Sequence, residues 1–445
     1  MSEQELSNEP ENLAQDDWIH RLKKESWEAE LLISAIAIFG TFQLFGLIDW
    51  ATNRFIDYLH PSQYLLGYMI VFLGLLAISI LVSMFVIHFA LRAYWIGLIG
   101  LSSVFPDFST ANSVYSEIYT KRLLLILPKL QKSQQKIDEL CSVIFSAAFL
   151  LLLVYSISAV IFSAYIFSYN FLIEFLPKWL LLIPVWIFVS IISMHGLFSI
   201  LGNMSKFNEH EKIQRGLFYT VHVSYILISG PMYKYVLQIS TIFSANFKKK
   251  KGLVFLLALF VIIGVGVATY KMIHTNIPYL TAKSDFYNDG YEYFDESHIY
   301  PDYYQTQNQN RTFLLSPEID SDVVKGGVIK IFIPIFKHEA GLQKKACGVF
   351  EENDEAEGKA RARENAFELN CYKQYHQVIL SGKSVEASFM QYRHPRTKQD
   401  GILGYIDTQA LDLGHQSIVV KKIKGNKAVS KWRIPFYFLG QSSKS

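Results

Sequence analysis

The 445-residue chain is 51% hydrophobic and 15% aromatic but only 18% charged, against roughly one quarter charged in soluble domains, which argues against a chain that is soluble throughout. A net charge of +3, with no basic patch interleaved with aromatics, gives no argument for nucleic-acid binding. The apolar weight is local: nearly all the long apolar runs fall between residues 31 and 270.

Residues 1–28 are polar and mostly acidic, and read as a cytoplasmic segment. They offer no basic n-region, and the nearby Ala35-Ile36-Ala37 lies inside the first apolar run, so that run is expected to stay as an anchor. Residues 29–252 read as a membrane body with four spans, at about 29–50, 64–92, 140–171 and 179–202. Trp27 and Trp50 bracket the first at a helical separation of roughly 35 Å. With Trp95 and Trp179 they supply the interfacial aromatics. The second run passes His88 and Arg92 and stays apolar to Val104, so Arg92 is expected to snorkel to the headgroups. Two amphipathic regions, 93–139 and 203–252, follow the two hairpins. Within the latter, Pro231 and Lys234 split residues 216–247 into pieces too short to span, expected to be interfacial or re-entrant. A fifth transmembrane helix, 253–270, opens directly after Lys248, Lys249, Lys250 and Lys251.

The basic residues set the sides. Arg92, Lys121 and Arg122 lie between spans two and three, and the Lys248–Lys251 cluster lies between spans four and five, whereas the opposite loops carry little beyond Arg54 and Lys178. The positive-inside rule then predicts an N-in/C-out α-helical bundle of about five spans. Spans one and three open on similar Glu-Leu letters, and spans two and four carry Ser-Met with a histidine near their inner ends. That order at an offset of about 110 residues would fit two duplicated hairpins. No Asp, Glu or Lys is expected at the midplane, since Glu28, Glu30 and Glu139 mark inner helix starts. His88 and His195 are the titratable residues inside apolar runs, candidates for a gate or pH-sensitive pair. Gly264 and Ala268 form a small-xxx-small ridge on span five, suited to close helix packing.

Residues 271–315 read as an acidic, tyrosine-rich stalk, and residues 316–445 as an extracytoplasmic β-sandwich-like domain. The strand candidates begin at Val328, Gln377, Ser384, Gly401, Gln416 and Trp432, with Gly326-Gly327 expected as a hairpin turn. The phrase "LDLGHQSIVVKKI", residues 411–423, resembles the lead into a late strand of small immunoglobulin-like accessory domains. That resemblance implies a sandwich, with Gly414 permitting the turn. Cys347 and Cys371 flank a highly charged segment that reads as an inserted helix or loop, and an extracytoplasmic setting would allow a disulfide between them.

No catalytic, metal-binding or cofactor-binding motif is present in the sequence. The expected function is therefore that of a non-enzymatic sensor, scaffold or envelope-complex subunit of a bacterial inner membrane, acting through the external domain. An oligomeric channel or pore is the alternative. The expected partners are the lipid bilayer and an envelope protein or further copies of the chain, with no cofactor and no nucleic acid.

Overall fold

The computed structural model describes residues 3–281 apart from 106–114, 128–129, 174, 208 and 248–250. It further describes residues 301–440 apart from 340–346, 349, 351–356, 386–387 and 425–426. Long apolar helices occupy the first part: α1 (Glu3–Tyr58), α2 (Tyr64–Val104), α4 (Leu130–Leu172) and α5 (Lys178–Asn203). Shorter helices accompany them, α3 (Glu117–Ile126), α6 (Glu211–Ser229), α7 (Tyr233–Phe247) and α8 (Lys251–Ile273). Four stretches are long and apolar enough to cross a membrane: Glu28–Tyr58, Pro61–Val104, Glu117–Leu172 and Lys178–Asn203. The expected fifth span appears as the shorter apolar helix Leu257–Ile273. Helices suit this composition because every backbone N–H and C=O is paired within the segment, as a lipid environment demands. Hydroxyls within the spans follow the same rule: Ser34, Thr41, Ser79 and Ser146 each donate to the carbonyl four residues back.

The chain divides into two units, residues 1–48 with 72–271, and residues 49–71 with 272–445. The elements described in the first are all helices. Leu81, Met84 and Phe85 of α2, Ile144 and Ala148 of α4 and Phe260 of α8 form its core, with Ala37 and Ile38 of α1 packed against them. Gly264 and Ala268 serve this packing inside the chain. A Cβ at Gly264 would overlap Ile80 Cγ1 and lie 3.2 Å from the Ile80 backbone nitrogen, and Ala268 is buried. The α6–α7 pair covers residues 211–247. Gln214 on α6 donates to the carbonyl of Gly202 at the end of α5, and the pair breaks at a 3₁₀ turn, Gly230–Met232. Gly230 takes φ 51°, the left-handed side that favours glycine, and Pro231 follows. At the break Ser158 of α4 donates to the carbonyl of Ile228 at 3.1 Å, satisfying a group that the helix end leaves unpaired.

The second unit is sheet-rich. One sheet has the order β1-β3-β7-β6, and the other β2-β9-β8-β4-β5. Their strands are β1 (Glu318–Ile319), β2 (Val323–Val324), β3 (Val328–Pro334), β4 (His376–Leu380), β5 (Lys383–Ser384), β6 (Ser388–Arg393), β7 (Asp400–Asp407), β8 (Gly414–Lys424) and β9 (Lys427–Phe438). A helix α9 (Glu357–Tyr375) fills the charged segment before β4. Alternate residues of both sheets enter one core: Ile329, Ile331 and Ile333 of β3, Ile402 and Ile406 of β7, Ile418 and Val420 of β8, and Trp432, Ile434 and Phe436 of β9. Every strand candidate of the sequence lies in a strand.

Two expectations fail here. Gly326-Gly327 does not close a hairpin: β2 runs parallel to β9 in one sheet, while β3 pairs with β1 and β7 in the other. The glycines instead carry the chain between sheets, Gly326 at φ 117° and held by the Thr408 hydroxyl. Nor is the tyrosine-rich stretch a solvated stalk where it is described. Tyr303 and Tyr304 are buried in the sheet core, and Asp302 pairs with Arg311 at 2.5 Å. Large aromatic area outweighs the acidic neighbours once a paired cation offsets their charge. The rest of that stretch, residues 282–300, lies outside the described residues.

Candidate functional site

In the helical unit, three helices each bring a pair of polar residues to one place. Glu30 and Ser34 are four apart on α1, His88 and Arg92 four apart on α2, and Asp138 and Cys141 three apart on α4, so each pair shares a face. Arg92 is 1% exposed. Its Nη1 donates to Asp138 Oδ1 at 2.6 Å, its Nη2 donates to Glu30 Oε2, and its guanidinium lies 4.9 Å from the Trp95 ring. The guanidinium thus forks between two carboxylates, a geometry that a compact ammonium cannot match. Arg92, expected at the headgroups, is a buried lock between helices: pairing to two carboxylates outweighs the cost of desolvation that snorkelling would avoid. His88 is fully buried, with Phe145 of α4 beside its ring.

Ser34 Oγ lies 2.7 Å from both the Glu30 carbonyl and His88 Nδ1, and His88 Nε2 lies 3.9 Å from Glu30 Oε2. His195, the other half of the sequence-predicted pair, lies half-buried on α5, and the described contacts of His88 are to α1 and α4.

In the sheet-rich unit, the turn of the α1–α2 hairpin is held by the residues after β3. The Lys337 backbone N–H donates to Asp57 Oδ1 at 2.9 Å, and His338 Nδ1 donates to the Asp57 carbonyl at 3.2 Å. Asn276 donates to Asn53 at 2.9 Å, and the Tyr64 ring meets those of Tyr279 and His338. The hairpin turn is itself rigid: Pro61 opens a 3₁₀ turn that the His60 and Gln63 side chains cap reciprocally. Beside this clasp is a cleft of about 490 Å³, where β3 ends, β7 begins and α9 passes over β6. Lys337, Asp400, Arg393, Tyr392, Tyr372 and Glu368 line it. Burial pushes the Tyr372 phenol up to about 12, so its hydroxyl stays neutral.

No protein-family model, curated protein or solved structure matches the chain.

The remaining polar groups of this unit hold its core. Lys422, 1% exposed, places Nζ at 2.8 and 2.9 Å from the two Glu339 oxygens and over the Phe336 and Trp432 rings. Glu318 accepts from Arg396 at 2.5 Å and lies 3.2 Å from His394 Nε2. His394 Nδ1 accepts from the Thr397 N–H, which makes that ring neutral with its hydrogen on Nε2. Burial, helped by Arg396, pushes His394 down to about 4, and burial raises Glu318 against the pull of Arg396. Cys347 and Cys371 are joined as a disulfide, tying α9 at a sequence separation of 24. Among the described residues no group of three or more His, Cys, Asp or Glu could hold a metal ion.

Of the other sequence-predicted positions, Trp50 and Trp179 are exposed on the helices. Lys121 pairs with Glu117 at 2.7 Å on α3, and Arg122 is exposed beside it. Residues 248–250 and the side chains of Trp27 and Lys251 lie outside what is described. Sequence reasoning missed the Glu30–Arg92–Asp138 lock and the Asp57–Lys337 clasp. The i, i+4 spacing of Glu30 with Ser34 and of His88 with Arg92 was the available signal for the first, and nothing local marks the second.

Proposed function

We propose that this chain is a non-enzymatic sensor or scaffold of a bacterial inner membrane, N-terminus inside and its sheet-rich domain, folded as a β-sandwich, outside. The lysine and arginine bias of the loops supports that orientation, and a Cys347–Cys371 disulfide suits an oxidising compartment. The observation that carries the reading is the clasp: residues 49–71 of the α1–α2 hairpin belong to the same unit as the sheets. The two helices gripped at Asp57 and Tyr64 are those that carry Glu30, His88 and Arg92 along their length. A change at the external domain is thereby offered a mechanical route to the charge lock, in addition to the covalent link through α8. Its partners in this reading are the bilayer and an envelope protein or further copies of the chain.

Cys141 is a built-in reporter, a buried free thiol on the α4 turn after Asp138. Asp57→Ala removes the carboxylate that holds the Lys337 N–H, and is expected to speed alkylation of Cys141 in the reconstituted protein severalfold by loosening the lock. An unchanged alkylation rate would sink the coupling. The second reading, an oligomeric channel, draws on the α6–α7 break at Gly230, because irregular backbone among spans is tolerated where it is buried in protein or lines a cavity. Ion flux through liposomes holding a chain lacking residues 280–445 would favour it over the sensor.

A further inference from the structure

The cleft beside the clasp has a lining whose chemistry is specific enough to name a ligand. One carboxylate, Asp400, serves two cations: Lys337 Nζ lies 3.1 Å from Oδ2 and Arg393 Nε lies 3.8 Å from Oδ1. The Arg393 Nε also donates to the Lys398 carbonyl at 3.2 Å, while its two terminal nitrogens make no hydrogen bond among the described residues. The nearest further acid on the lining, Glu368, is occupied by the Gln391 amide at 3.0 Å. Two cations and two carboxylates thus balance on the lining, but the terminal nitrogens of Arg393 stay open as donors, and the group is open to solvent, with the Lys337 and Arg393 side chains 52% and 71% exposed. A planar carboxylate fits the two open nitrogens of a guanidinium better than any neutral group does.

The rest of the lining selects what carries that carboxylate. Tyr372 of α9 is a half-buried ring with a neutral hydroxyl, and Tyr392 of β6, packed against Phe332, also borders the cleft. Flat aromatic surfaces with hydroxyls accept the C–H faces of a pyranose, and the Glu368 carboxylate and Gln391 amide offer partners for its hydroxyls. The volume, about 490 Å³, is within the range of sites that enclose a ligand of one to a few rings. We propose that this cleft binds an acidic saccharide, a sugar ring bearing a carboxylate held by the terminal nitrogens of Arg393 beside Lys337. The inference rests on the sensor reading only for its consequence: Lys337 lines the cleft through its side chain while its backbone N–H holds Asp57, so an occupant would act directly on the clasp.

The test is titration of the full chain in nanodiscs with oligogalacturonate and, in parallel, with the neutral oligogalactan that differs by the carboxylates. The expected result is saturable binding of the uronate, none of the neutral oligomer, and loss of affinity of about tenfold or more in Lys337→Gln and in Arg393→Gln. Both side chains are exposed and the Lys337 substitution leaves its backbone N–H in place, so these variants retain the fold. Equal binding of both oligomers, binding of neither, or uronate binding that survives both substitutions each overturn the proposal. The two readings fail separately. Uronate binding that both substitutions abolish, with Cys141 alkylation unmoved by ligand or by Asp57→Ala, removes the sensor and keeps the site. A positive Asp57→Ala result with no uronate binding removes the site and keeps the sensor.

Discussion

Arg92 decides the electrostatics of the helical unit because it is the cation that both Glu30 and Asp138 share. Arg92→Ala unpairs the part-buried Glu30 and the more exposed Asp138, and is expected to cost about 2–3 kcal/mol, below the loss for a fully buried pair. Arg92→Lys keeps the charge but loses the fork, so it should recover only part of that loss. Thermal unfolding in detergent checks both, and a melting point unchanged in Arg92→Ala would refute the lock. In the sheet-rich unit the telling residue is His376. Its Nδ1 donates to the Tyr372 carbonyl, and burial, helped by the Lys422 ammonium, pushes the ring down to about 4. The unfolded ring titrates near 6.5. Between those values the unfolded chain takes up a proton that the folded chain refuses. Stability from this residue is thus complete above about pH 6.5 and falls as pH drops toward 4. The unit should unfold more readily at about pH 5 than at about pH 7, and His376→Leu should flatten that slope; a slope identical in the variant would show that another group sets it. At this scale the sequence is a poor guide. It flags His88 and Arg92 as odd in an apolar run, but their partners sit 54 and 62 residues away on α1, and the acid used on α4 is Asp138 rather than the neighbouring Glu139.

Elements were more legible than their partners. Alternation exposes β3, β4, β6, β7, β8 and β9 because the pleat sends successive side chains to opposite faces. Which strand each one pairs with depends on contacts between distant residues, and so Gly326-Gly327 reads as a hairpin when it is a crossover between sheets. The helices behave alike: their apolar runs are plain and α2 ends at Val104 with its run, yet α4 begins at Leu130, ahead of what hydropathy marks. Helix packing is where sequence and fold agree for a physical reason. In lipid no hydrophobic drive brings helices together, so small residues are placed where backbones approach, and Gly264 meets α2 at Ile80. Gly264→Leu must displace Ile80 Cγ1, with the Ile80 backbone only 3.2 Å behind it. It is expected to cost about 1–3 kcal/mol, where Gly266→Leu, with nothing within 4 Å of its Cβ, costs little. Unfolding of the two variants side by side makes the comparison, and equal losses would mean that α8 does not rely on that contact.

For the whole molecule, the sequence suggested a membrane body and an external domain joined through α8 alone. The structure adds residues 49–71 to the domain's unit, an attachment invisible to any local pattern because Asn53 and Asn276 are 223 residues apart in the chain. Which side of the membrane this unit occupies can be decided by its cysteines. The chain has three: Cys141 is free and buried, and Cys347 with Cys371 closes a loop around α9 that the chain-entropy argument values at about 3 kcal/mol. Such a bridge persists outside the cytoplasm and is reduced within it. Protein extracted under thiol-blocking conditions, then denatured and alkylated, is expected to show one reactive thiol without reductant and three with it. Reporters fused after residues 100, 215 and 247 should be active on the cytoplasmic side and one after residue 300 on the other, since the proposed orientation sets the lysine-rich loops and the bridged cysteines on opposite faces. Three free thiols in the unreduced protein, together with a cytoplasmic reporter at 300, would turn the domain inward, and the acidic ligand of its cleft would then have to be a cytoplasmic one.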